Sequence, residues 1–293
     1  MLDASPGAGV TEERLRIAAE GCDLAGVLFR PAGAPRAAVV INGATGVPQS
    51  YYAHFARWLA AEQGVACLTF DYRDFGASAT GAMRESAATM SQWALLDQPA
   101  ARAAMRAQVP GVPIWVIGHS LGGMMVPLQD GIEDVTRMIC VASGLVHHSQ
   151  HPWPYQGLAR LFWFGHAPLL TRLMGYLPGR LTGFGEDLPS PVYWEWRRWC
   201  TSPESYLPEV GVGLPPAQWA RSGAPVDLIA LSDDSVIPPA CVARLEPVYA
   251  GGQVRKRVLD PADFGLKRVG HLGIFARRNS ALWPALIADA AVG

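Results

Sequence analysis

The chain has 293 residues, half of them apolar and 17% charged, with a net charge of −1. That is long enough to bury a sizeable core and too apolar for a disordered polypeptide. The balanced charge excludes the footprint of a nucleic-acid binder, and no 18-residue window is free of charge and polarity as a membrane span requires.

Five cysteines, at 22, 67, 140, 200 and 241, show no CxxC pairing, and no His/Cys cluster has zinc-ligand spacing. Neither a disulfide framework nor a metal site is indicated, and no cofactor is expected. The opening MLDASPGAG lacks a basic region followed by an apolar core, so no secretory signal is read and a cytoplasmic location is the expectation.

Arg14–Ala19 and Ala25–Arg30 read as a β-hairpin, and Ala37–Ile41 as a strand buried on both faces. Tyr51–Glu62 has helical spacing, with Tyr52, Phe55, Trp58 and Leu59 on one stripe. Val65–Phe70 is a second buried strand, Ser86–Ala107 a long amphipathic helix, and Ile114–Ile117 a strand running into Gly118. Leu121–Leu128 then reads as the apolar start of a helix, and Arg137–Ala142 as a strand. Val226–Leu231 and Gln253–Leu259 are strands, and Ala240–Tyr249 and Ala276–Ala290 helices. Such alternation predicts a doubly wound, mostly parallel sheet with the hairpin at its antiparallel edge.

From about Leu145 to Ser222 the rhythm stops. No clear strand is read there, yet the segment holds Trp153, Trp163, Trp194, Trp196, Trp199 and Trp219. A loop of that length without structure is foreign to a compact domain. The expectation is a helical cap at 145–222 inserted into a core formed by 1–144 and 223–293. Leu158, Leu161, Phe162, Leu169, Leu170 and Leu173, interrupted by Arg160 and Arg172, are too many apolar residues for a solvated loop. They must pack on the core, face a partner subunit or line a substrate site, so a homo-oligomer stays open.

The strongest motif is Gly118-His119-Ser120-Leu121-Gly122-Gly123, between a strand and an apolar run. A serine on a tight strand-to-helix turn holds a strained backbone, and glycines two residues to either side let neighbouring backbone pass. The arrangement resembles the α/β-hydrolase fold over nearly the whole chain, which implies an eight-stranded sheet and a Ser, acid, His order. Ser120 is then the nucleophile. The acid loop of that family commonly reads D-x-x-x-P, which matches Asp234 before Pro238, with Asp233 the competitor that could instead cap the next turn. His271 is the one histidine after Asp234 and supplies the base.

The resemblance also implies an oxyanion hole from the backbone N–H of Leu121 and of a residue in Asn42-Gly43-Ala44-Thr45-Gly46, with Ala44 first and Thr45 second. Asn42 replaces the usual His, Asp74 stands where the turn after the fourth strand usually has Gly, and Leu231 departs from a usual Gly. His119 is read as structural, and His147, His148, His151 and His166, which open the cap segment, as solvated loop residues with contact to substrate the alternative. Several phrases are similar to a bacterial group of predicted hydrolases without an assigned substrate. The implied activity is hydrolysis of a small-molecule carboxylic ester, and the aromatic-rich cap points to an apolar acyl or aryl group. The alternatives are acyl transfer or amide cleavage on the same triad, or a non-catalytic binder. Ser at the nucleophile position disfavours dehalogenase and epoxide-hydrolase chemistry, whose members carry Asp there.

Overall fold

A computed structural model describes residues 9–288. Its centre is an eight-stranded sheet of order β1-β2-β4-β3-β5-β6-β9-β10. The strands are β1 (Thr11–Ala19), β2 (Cys22–Arg30), β3 (Ala37–Asn42), β4 (Val65–Phe70), β5 (Ile114–His119), β6 (Val135–Val141), β9 (Val226–Leu231) and β10 (Val254–Leu259). β1 pairs antiparallel with β2, and β2 with β4; every other pairing is parallel. Every residue of β3, β4, β5 and β9 is buried, which is why these segments read as mostly apolar runs rather than alternating ones, with Asp227 the one charged exception, paired to Arg137.

The alternation is still present, sorted by face. Ala38, Val40 and Leu68 join Trp93 and Met105 in one core, whereas Val39, Ile41 and Cys67 join Phe55 and Leu59 in the other. The second core is closed by α1 (Ala53–Gln63) and the first by a helical run of three pieces. These are α2 (Met90–Gln92), a π-helical turn at Trp93–Asp97 and α3 (Gln98–Gln108). The run begins four residues later than the sequence pattern suggests. Thr89 and Gln92 form a reciprocal capping box that fixes the start.

Residues 145–222 carry α4 (Tyr155–Leu161), a π-helical turn at Phe162–His166, α5 (Ala167–Met174), the one-turn α6 (Gly179–Thr182) and α7 (Ser190–Cys200). A two-residue ribbon, β7 (Tyr176–Leu177) with β8 (Leu188–Pro189), is too short to leave a pattern in the sequence. Beyond the segment come α8 (Pro239–Ala243), α9 (Gly270–Gly273) and α10 (Trp283–Leu286).

Three expected helices are shorter than their apolar spacing suggests, and a proline contributes to each. α8 gives way to a 3-10 turn at Glu246–Tyr249 that contains Pro247. The last helix reduces to a 3-10 turn at Arg277–Leu282 followed by α10, kinked at Asn279, with Pro284 in its first turn. The expected residues 289 and 290 lie outside the described ones. After Ser120 there are two 3-10 turns, Ser120–Gly123 and Val126–Leu128, in place of a helix. Gly122 and Gly123 are poor helix formers, and Pro127 has no N–H to continue one. Among the described residues no helix is long and apolar enough to cross a membrane.

Candidate active site

Ser120 sits at the carboxyl end of β5 with φ +53°, a left-handed conformation rare for a residue with a side chain. Holding it there costs about 1–3 kcal/mol, which the surrounding packing must offset. The flanking glycines make the turn possible by close approach. A Cβ on Gly118 would lie 2.4 Å from the Gly123 nitrogen, and one on Gly122 would lie 2.0 Å from the Asn42 carbonyl oxygen. Asn42 Nδ2 donates to the Gly122 carbonyl (3.2 Å) and to Gln98 Oε1 (3.1 Å). The residue found where the related fold has His therefore fastens the turn after β3 to the turn that carries Ser120.

Asp234 follows β9 and is buried. Its Oδ1 accepts the amides of Val236 (2.8 Å) and Ile237 (3.0 Å), which fixes the carboxylate, and its Oδ2 lies 2.8 Å from His271 Nδ1. The ring is thereby held with Nδ1 protonated and Nε2 left as an acceptor. Asp233 has a separate task. Its carboxylate accepts the amides of Val269 (2.7 Å) and Gly270 (3.0 Å), immediately before His271. Neighbouring aspartates thus hold one loop, Asp234 by its imidazole and Asp233 by its backbone.

A buried chain of hydrogen bonds joins the other segments. The Ala44 amide donates to Tyr52 Oη (2.8 Å), and Tyr52 Oη lies 2.9 Å from His119 Nδ1. His119 Nε2 lies 3.1 Å from the His271 carbonyl oxygen, which can only accept. One set of protons satisfies all three contacts: Nε2–H donates to His271, and Tyr52 O–H donates to Nδ1. Burial pushes His119 well below the usual histidine range and Tyr52 well above the usual tyrosine range, so both stay neutral as this set requires. His119 is thus the brace between the turn after β3 and the His271 loop. The Ala44 N–H, expected to hold an oxyanion, is already engaged by Tyr52.

A cavity of about 390 Å³ gathers Ser120, Leu121, His271, Ala44 and Thr45 from the sheet's loops. Most of its remaining wall comes from the 145–222 segment, with Tyr155, Leu158, Phe162, Trp163, Phe184 and Trp196 among the residues facing it, and Met90, Met124, Val236 and Ile237 add to it from the core. Phe162, Phe184 and Trp196 pack on one another with ring centroids 4.6–6.0 Å apart. His151 and His166 also line the cavity, as the alternative reading of the four loop histidines allows, whereas His147 and His148 are not among its lining residues. His151 is buried, donates Nδ1–H to the Ser235 carbonyl (3.2 Å) and is pushed below the usual histidine range by that burial. Sequence reasoning did not select Tyr52 as part of the site, and weighed Asp233 only as the rival acid or a turn cap, not as the holder of the 269–270 amides. Tyr52 looked like one more apolar position on a helix stripe, and nothing in a sequence marks its hydroxyl as shared.

Residues 38–281 match the sequence model of the alpha/beta hydrolase family. The chain belongs to the α/β-hydrolase family. Among curated proteins none matches it. Among solved structures it is similar to a bacterial membrane phospholipase A described as a virulence factor, at 17% identity and a TM-score of 0.57, covering 96% of this chain and 86% of that one. It is also similar to a thermophilic esterase from Thermogutta terrifontis, at 13% identity and a TM-score of 0.54, covering 94% and 98%. An N-formylmaleamic acid deformylase from Pseudomonas putida aligns at 16% identity and a TM-score of 0.52, covering 91% and 97%. At such identities the likeness is one of fold. In this α/β hydrolase Asp74, where the related turn has Gly, keeps the backbone Gly would adopt. Its φ is +56°, and its Oδ2 accepts from Ser86 Oγ at 2.5 Å.

Proposed function

We propose that the chain is a serine hydrolase that cleaves carboxylic esters through an acyl-enzyme, with Ser120 as nucleophile, His271 as base and Asp234 as the acid that orients it. The observation that carries this reading is the cavity shared by strained Ser120 and by His271, whose Nδ1 is held by Asp234. His271 Nε2 takes the Ser120 proton as Oγ attacks the ester carbonyl carbon. The tetrahedral oxyanion collapses, the alkoxide leaves with the proton from His271, and water activated by the same ring releases the acid. Leu121 N–H is one oxyanion donor. Because the Ala44 amide donates to Tyr52 Oη, Thr45 N–H is the second. The 145–222 segment acts as a cap whose aromatic side chains select an apolar acyl or aryl group. Amide cleavage on the same residues is the second reading, favoured by the deformylase among the structural neighbours.

The test is labelling with a fluorophosphonate, read by peptide mapping, followed by matched ester and amide panels. One adduct on Ser120, absent from Ser120→Ala, supports the assignment. Undiminished labelling of that variant overturns it, and faster turnover of amides than of matched esters would move the activity to the second reading.

A further inference from the structure

The helices that wall the cavity are two-faced. Ala159, Trp163, Ala167 and Thr171 turn inward and are buried, while the outer side presents Leu158, Leu161, Phe164, Leu169 and Leu173, with Trp153 in the turn just before α4, each between 52% and 80% exposed. Scattered exposed apolar residues are ordinary, but a cluster of large ones on consecutive helices marks a surface that meets something. The charge on this face is as uneven as its polarity. No Asp or Glu occurs between Asp134 and Glu186, in a chain whose net charge is −1. Arg160 lies exposed on α4 and Arg172 on α5, the latter with its guanidinium 4.8 Å from the Trp194 ring.

A second copy docked on this face by a two-fold axis would set like charges against each other. A bilayer with anionic headgroups suits both properties: the leucines and aromatics enter the headgroup boundary, and the arginines meet phosphate. The mouth of the cavity falls within the same surface, since Leu158 and Leu161 are exposed and also line it. We propose that the outer face of α4 and α5 docks the protein on bilayers containing anionic phospholipid, with the cavity opening towards the lipid. This surface is independent of which bond Ser120 attacks.

The test is flotation of the full chain with vesicles of phosphatidylcholine alone or mixed with phosphatidylglycerol. The wild type is expected to float with the mixed vesicles and weakly with the neutral ones. Arg160→Gln/Arg172→Gln should cut affinity for the mixed vesicles about 25-fold, at about fivefold per arginine. Leu169→Asp/Leu173→Asp, outside the cavity lining, should float with neither while hydrolysing p-nitrophenyl acetate within about twofold of wild type, as expected for exposed positions. A wild type that does not float with the mixed vesicles overturns the proposal. So does an aspartate variant that floats as well as wild type. Sedimentation showing a wild-type dimer that the aspartate variant splits, with no vesicle binding by either, would assign the face to a second copy instead.

Discussion

The two walls of the cavity are built by different means. On the sheet side, positions are set by backbone: glycines pressed against carbonyls at 118 and 122, and carboxylates of Asp233 and Asp234 accepting four amides between them. On the 145–222 side, positions are set by ring against ring, with Phe162, Trp163, Phe184 and Trp196 in mutual contact. Backbone hydrogen bonds have narrow geometry and tolerate little displacement. Aromatic contacts are individually weak and can re-form after a shift. The sheet side therefore suits chemistry, and the aromatic side suits selection among substrates.

The sharpest way to break this comparison is at Asp234. Asp234→Asn should lower kcat on the order of 10⁴-fold through loss of the His271 tautomer, equally for short and long esters. Asp233→Asn keeps one acceptor for the 269–270 amides and should lower kcat by roughly tenfold, the loss of one charge-assisted hydrogen bond. Steady-state kinetics on an ester series decides both. If Asp233→Asn is the more damaging, the roles of the two carboxylates are reversed.

Phe162→Ala probes the opposite wall. Each methylene buried there contributes about 0.8 kcal/mol, or about fourfold in kcat/KM. Removing the ring should move the preferred acyl length upward by several carbons and leave acetate turnover within about tenfold of wild type. A uniform loss at every chain length would mean that the aromatic wall also positions the chemistry.

The smallest effect concerns pH. His119 is buried and titrates well below 6.5, so as pH falls below 6.5 the unfolded chain takes up a proton that the folded chain refuses. Stability is therefore lost on acidification, at up to about 1.4 kcal/mol per pH unit for this residue. His119→Gln should flatten the stability slope between neutral pH and mildly acid pH by that amount, measured by urea unfolding. His148→Gln, on the segment with a much more accessible ring, should flatten it far less.

The legibility of the sequence follows the same division. β9 matches its predicted bounds residue for residue, because Leu228–Leu231 form an apolar run covered on both faces, Asp227 is buried in an ion pair with Arg137, and Ser232 and Asp233 end the strand. Ser120, Asp234 and His271 could be singled out because each follows a recognisable strand or turn. The helix expected after Ser120 was misread, since the apolar run Leu121–Leu128 is equally suited to being buried in two tight turns. The Tyr52–His119 brace was invisible because its partners are 67 residues apart. The aromatic wall left a composition without an arrangement.

One consequence of the shortened turns lies in the electric field at Ser120. A full helix starting at Ser120 would aim roughly half a positive charge at the developing oxyanion. Here the aligned peptides stop after one turn, and the carbonyls they would have used are capped from outside. Tyr249 Oη donates to Gly123 (2.7 Å) and Tyr206 Oη to Met124. With little collective dipole behind it, charge stabilisation in the proposed reaction would fall to individual amides, those of Leu121 and Thr45. Their aim depends on the loop at 42–47, and that loop depends on Tyr52. Small shifts of this loop should change turnover well before they change the melting temperature.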